Sequence, residues 1–80
     1  MDPDLFDRLR VWRAEEARRR NVPAYVVFHD STLETLAAEK PRDLASLRAV
    51  RGVGPAKIDA YGPALLAVLA GRVAPGPSGT

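Results

Sequence analysis

The chain contains no cysteine, which excludes disulfides, thiolate metal sites and cysteine nucleophiles together. It has a single histidine, His29, too few to build a structural zinc site, since zinc takes about four nitrogen or sulfur ligands. No apolar run approaches the roughly 20 residues of a membrane-spanning helix. Met1 opens onto acidic residues and not onto a signal peptide. Neither sign of charge dominates: twelve basic side chains face ten acidic ones, for a net charge of +2, a bias too small to establish a nucleic-acid partner by itself. Aromatics are scarce at 6%, yet 46% hydrophobic and 28% charged residues give a globular balance. With 80 residues there is room for one domain. A chain of that length buries only about 60–65% of its unfolded surface, so the core is thin. No carboxylate pair and no serine stands in a catalytic arrangement, and a self-contained enzyme is not expected.

What is present is helical periodicity. Leu5, Phe6, Leu9 and Trp12 share one face of a helix expected over residues 4–20. Pro3 and Asp4 mark its start, and acids early with arginines late complement the helix dipole. The apolar stripe fades beyond Trp12, where Arg13, Glu16 and Arg20 point the same way, so the last turns are expected to overhang the core. Asn21 ends the helix ahead of Val22-Pro23. Residues 23–28, PAYVVF, have no partner strand elsewhere and read best as a short buried helix. Ser31 and Glu34 have the spacing of a capping box, with Asp30 beside it, opening a helix with Leu33, Leu36 and Ala37 that ends by Pro41. Asp43 starts a brief helix carrying Leu44, Leu47 and Val50. Gly52-Val53-Gly54 turns the chain, Pro55 suits the first position of the next helix, and Ile58, Tyr61, Leu65, Leu66 and Leu69 follow. Gly62-Pro63 predicts a kink or break near Tyr61, and Gly71 is a fitting C-cap. The result is an all-α, compact bundle of about five short helices over residues 1–72, followed by a flexible Pro/Gly/Ser tail over 73–80.

Four constellations bear on function. The turn Leu47-x-x-Val50-x-Gly52-Val53-Gly54-Pro55-x-Lys57 resembles half of a helix-hairpin-helix. Gly52 and Gly54 let backbone approach a phosphate at a helix N-terminus, Lys57 adds charge, and Arg48 and Arg51 flank it. The chain must also turn here whether or not a ligand binds, with Val53 plugging the core. The spacing is not that of a P-loop. On the first helix, Arg8, Arg10, Arg13, Arg18, Arg19 and Arg20 offer a basic face, but Asp4–Arg8, Glu15–Arg19 and Glu16–Arg20 are favourable i,i+4 pairs that dilute it. A solvated, self-paired face is the preferred reading. Tyr25 is either core or an exposed ring able to stack on an unpaired base, whereas Trp12 completes the Leu5–Leu9 face. Asp30, Glu34, Glu39 and Asp43 make the middle of the chain acidic. They serve as caps and dipole partners, or as a patch that docks on a basic surface of another domain. His29 reads as an exposed or capping-loop residue.

Together the strings Leu5-Phe6-x-x-Leu9-Arg10, Asn21-Val22-Pro23-Ala24-Tyr25-Val26-Val27-Phe28-His29-Asp30-Ser31-Thr32-Leu33, Leu47-x-x-Val50-x-Gly52-Val53-Gly54 and Tyr61-Gly62 resemble the HRDC domain. This helicase and RNase D C-terminal module follows RecQ-type DNA helicases and occurs in ribonuclease D. The resemblance runs in order from Leu5 to Leu69. It implies a helical bundle without catalysis or cofactor of its own. Its implied role is to tune a RecQ-like helicase's binding to single-stranded, partial-duplex or junction DNA in repair and recombination. The implied setting is the bacterial cytoplasm and nucleoid, away from membranes, with DNA and other domains of the parent helicase as partners and a monomeric state in isolation. In the bacterial RecQ pattern the tyrosine matching Tyr25 is associated with single-stranded DNA, which makes it the leading site residue, ahead of Arg48, Arg51, Lys57, Gly52 and Gly54. Two departures from the pattern are Glu16, where an apolar residue is usual, and Ala24, where proline is common. A regulatory docking module acting through the acidic face, and a ribonuclease D parent, are the alternatives.

Overall fold

A computed structural model describes residues 1–71; the tail expected over 73–80 lies outside them. Five helices run in the order α1 (Pro3–Arg20), α2 (Ala24–Val27), α3 (Asp30–Glu39), α4 (Leu44–Arg48) and α5 (Pro55–Leu69), and no strand occurs among the described residues. The long α1 packs against α2, α3 and α5, and α4 packs against α5. Leu5, Leu9, Val27, Leu33, Leu36, Leu47 and Leu65 fill the centre.

Local chemistry explains most of the boundaries. Asp2 caps α1 by accepting from the Leu5 amide at 3.2 Å, and Asn21 closes it in the left-handed region at φ 58°, a conformation asparagine tolerates better than most residues. Lys40 ends α3 in the same region at φ 50°, one residue before Pro41. Asp43 caps α4 by accepting from the Ser46 amide at 2.8 Å, which holds its carboxyl below the usual carboxylate range. Pro55 opens α5 at a position where its missing N–H costs nothing. Gly71, at φ 80°, follows Ala70, which occupies the C-cap position itself.

Three expectations are corrected. The last turns of α1 do not overhang: Arg13, Glu16 and Ala17 are all buried. Polar contacts replace the missing apolar stripe there. Arg13 Nη1 donates to the Phe28 carbonyl at 2.8 Å, Glu16 accepts from Arg20 and pairs with Arg19, both at 3.3 Å, and the Arg20 guanidinium lies 4.7 Å from the Tyr61 ring centre. Among the described residues Glu16–Arg20 is thus the one i,i+4 pair that forms of the three expected; Asp4–Arg8 and Glu15–Arg19 do not. The Ser31–Glu34 capping box does not close either. α3 starts earlier, with His29 at the N-cap position and no side-chain cap, which puts Ser31 inside the first turn where it cannot be the N-cap; the Asp30 carboxylate pairs with Arg13 at 2.7 Å. Finally, of the kink or break expected at Gly62-Pro63, the break does not occur: α5 runs through as one helix from Pro55 to Leu69. Pro63 faces solvent and removes a single backbone donor, while the buried Tyr61, Gly62, Leu65 and Val68 anchor the helix on both sides.

Candidate nucleic-acid interface

The residues singled out for DNA contact come from two segments, the PAYVVF string and the glycine turn, and side chains from each reach the neighbourhood of the other. Gly52 sits at φ +92°, where a β-carbon would lie 2.5 Å from Thr32 Oγ1 in the first turn of α3. Only glycine fits that contact, both for backbone reasons and because Thr32 is itself buried. The second link is Lys57, whose ammonium donates to the carbonyl oxygens of Val26 at 2.6 Å and Val27 at 2.7 Å. It also lies 5.3 Å from the Phe28 ring centre and 5.8 Å from that of Tyr61. The turn before α5 and the corner between α2 and α3 therefore lie against each other.

Burial divides the candidates. Tyr25 is 62% exposed and Val26 45% exposed, which resolves the ambiguity of the apolar run: α2 buries Val27 and then Phe28, and turns Tyr25 outward. The Tyr25 ring lies nearly parallel to His29, at an interplanar angle of 25° and 6.1 Å between centres. Trp12 goes the other way. It is buried, edge-on to Tyr61 at 5.6 Å and tilted against Phe28 at 6.1 Å.

Arg48 and Arg51 are both exposed, within four residues of Gly52, and neither forms an ion pair among the described residues. Gly54 begins α5 in extended geometry with nothing within 4 Å of where a β-carbon would stand. Lys57 differs from these two arginines. Its ammonium donates to two carbonyls and lies near two rings, so in this geometry it supports the α2 corner and does not project toward solvent with them. No sequence signal marks this, because its acceptors are 31 and 30 residues away.

The four acidic side chains of the middle stretch have different surroundings. Asp30 is paired with Arg13 at 2.7 Å and Asp43 is occupied as a helix cap. Glu34 and Glu39 are exposed and without ion pairs among the described residues. Among the described residues no cluster of histidine and carboxylate side chains is placed to hold a metal, and no helix is long and apolar enough to cross a membrane.

An all-helical module with an exposed aromatic corner beside a glycine turn is the class these features define. The HRDC family model matches residues 2–69, and the chain belongs to the HRDC domain family. It is 43% identical over 72 residues to the ATP-dependent DNA helicase UvrD2 of Mycobacterium tuberculosis, an alignment covering 90% of this chain and 10% of that protein. It is 43% identical over 60 residues to the ATP-dependent DNA helicase RecQ of Pasteurella multocida, covering 75% and 10%. Ribonuclease D of Granulibacter bethesdensis is 40% identical over 50 residues, covering 62% of this chain and 13% of that one. The solved structure of HRDC domain 3 of D. radiodurans RecQ superposes with a TM-score of 0.81 at 43% identity, covering 84% of this chain and 88% of that one. The chain thus spans about a tenth of the length of the curated helicases it matches.

Proposed function

We propose that the chain is an accessory, non-catalytic nucleic-acid-binding module of a DNA helicase, tuning its hold on single-stranded, partial-duplex or junction DNA in repair and recombination. The observation that carries this reading is the exposure of Tyr25 on a corner that is tied to the glycine turn, by Gly52 against Thr32 and by Lys57 on the α2 carbonyls. A base stacks on Tyr25, a mode that tolerates any sequence because every base has a π-face. Arg48 and Arg51, beside the turn, take phosphates, and the bare Gly54 leaves backbone room for one. Lys57 is assigned to the scaffold of this surface, a change from the phosphate contact its place in the turn suggests. The match to helicases of two kinds, named RecQ and UvrD2, supports a helicase parent over a ribonuclease D.

Two phosphate contacts on a single strand give a slope of log K against log salt of about −1.4, so affinity falls roughly sevenfold between 50 and 200 mM salt. The test is a titration of fluorescein-labelled single-stranded and junction DNA across that salt range, using the wild type, Tyr25→Ala and Arg48→Ala/Arg51→Ala. Tyr25→Ala is expected to weaken binding and leave the slope, and the arginine pair to flatten it. Tight binding untouched by any of these changes would sink the assignment.

The second reading, a docking surface that regulates the parent helicase, is favoured by Glu34 and Glu39, exposed on α3 and without ion pairs among the described residues. It narrows the acidic face to those two residues. Charge reversal at both then alters the full-length helicase's DNA affinity or unwinding and leaves the isolated domain unchanged.

A further inference from the structure

We infer that His29 is the second ring of a two-ring stacking platform for an unpaired nucleobase, and that buried Arg13 is the residue that positions it. This rests on the single-strand reading above and extends it to residues that the sequence leaves without a role.

The geometry of the rings comes first. Tyr25 and His29 are both exposed, near-parallel at 25° and separated by 6.1 Å between centres. Carbon atoms in van der Waals contact sit about 3.5–4.0 Å apart, so a base inserted between two rings needs them at least ~7 Å apart. These two are too close to be a clamp. They form one slab, and a base is received on an outer face.

The chain between the rings is held from below by two cations on other helices. Lys57 binds the carbonyls of Val26 and Val27. Arg13 donates from Nη1 to the Phe28 carbonyl at 2.8 Å and pairs through Nη2 with Asp30 at 2.7 Å. Three consecutive carbonyl oxygens are thereby taken by side chains from α5 and α1. The two residues bound by Arg13 stand immediately on either side of His29, so one guanidinium fixes both neighbours of the ring. Arg13 is itself largely buried, with Nε unpartnered among the described residues, a desolvation cost for a residue that packing alone would fill with an aliphatic side chain.

Two consequences follow for a single strand. A four-residue helix has no stability of its own, so without these bonds the two rings would have to be ordered at the moment of binding. Fixing them beforehand removes that cost. Arg13 also neutralises Asp30, the carboxylate next to His29, which would otherwise repel the incoming backbone. His29 in turn leaves the first turn of α3 without a side-chain cap and keeps its ring for the surface.

The experiment titrates the full 80-residue chain with labelled thymidine and uridine homo-oligomers at low salt, with far-UV circular dichroism to verify folding. His29→Ala is expected to weaken binding about fivefold, the lower end of what loss of one stacking ring does. His29→Phe should restore wild-type affinity and His29→Lys should not. Arg13→Lys, which cannot fork between the Phe28 carbonyl and Asp30, should weaken binding in the wild type and have a clearly smaller effect beside His29→Ala. A merely structural role for Arg13 would lower affinity by the same factor in both backgrounds. If Tyr25→Ala weakens binding while His29→Ala leaves it unchanged, or if Lys at position 29 rescues and Phe does not, the platform is refuted and the single-strand reading survives. If the wild type fails to bind either oligomer, or Tyr25→Ala changes nothing, that reading falls and the platform with it. Equal effects on both oligomers fit stacking on any single strand; an effect confined to one would assign the platform to that nucleic acid.

Discussion

Lys57→Met separates a scaffold lysine from a phosphate-binding one. Methionine keeps the unbranched stem and removes the ammonium, so packing of the stem on α5 is conserved. What is lost is the pair of bonds to the Val26 and Val27 carbonyls at 2.6 and 2.7 Å and the approach to the Phe28 and Tyr61 rings. Hydrogen bonds to charged groups contribute about 1.5–3 kcal/mol each where buried. Here one is exposed and one partly buried, and the Val26 carbonyl can turn to water. The net loss is therefore about 2 kcal/mol. For a domain of this size each kcal/mol moves Tm by about 4–8 °C, which puts the variant ~8–16 °C below the wild type. Thermal melts followed by circular dichroism read this directly, and the salt dependence of DNA binding is measured below the lower Tm. A scaffold role leaves the slope of log K against log salt where it was. The reasoning is refuted if Tm stays within about 2 °C of the wild type while the slope falls by about 0.7, the signature of one lost phosphate contact on a single strand.

The two glycines of the turn, equivalent in the sequence, should separate on substitution. Gly52→Ala forces a side chain into positive φ and against buried Thr32, destabilising by about 2–4 kcal/mol in urea denaturation. Gly54→Ala meets nothing within 4 Å and should be neutral or stabilising by up to ~1 kcal/mol through the unfolded chain; a loss of DNA affinity there without a loss of stability would mark close backbone approach by the strand. Acid should loosen the domain at two caps. The Asp2 carboxyl is held below the ordinary 3.8 mainly by the Leu5 amide and then by Lys40, and Asp43 mainly by the Ser46 amide. Depressed values mean stability that is fully present above the ordinary value and fades as pH drops through the lowered ones. Tm should therefore fall below about pH 4, and less steeply in an Asp2→Ala/Asp43→Ala variant. Leu36→Ala, at 0% exposure, should cost about 2–5 kcal/mol, with a wild-type melting curve as the outcome that contradicts the assigned core.

What could be read from the sequence was what depends on near neighbours. Asn21 as a stop, Asp43 as a cap, and Gly52 through Pro55 as a turn into a helix each follow from the conformational preferences of a few adjacent residues. The errors came where a distant partner decides. Periodicity counts apolar residues, so it saw Arg13 and Glu16 as the end of the buried face, when a carbonyl fifteen residues on and the Tyr61 ring receive that end of α1. The Ser31 cap failed on position instead, since α3 has its N-cap at His29 and Ser31 falls inside the first turn. At the candidate site, the outward turn of Tyr25 and the inward turn of Lys57 depend on how a four-residue helix packs on α1 and offers its carbonyls to α5. Composition and spacing carry no information on that.

The chain has one tryptophan, Trp12, packed edge-on to Tyr61 of α5 and tilted on Phe28 at the end of α2. Its indole is therefore a native optical gauge placed where three helices meet. Emission shifts to the red when that joint opens, and a quencher in solution reaches the ring only then. A base lying on Tyr25 or His29 touches none of the three rings. Folding can thus be read from the protein's own emission while binding is read from the labelled DNA, so each variant described above carries its own internal control.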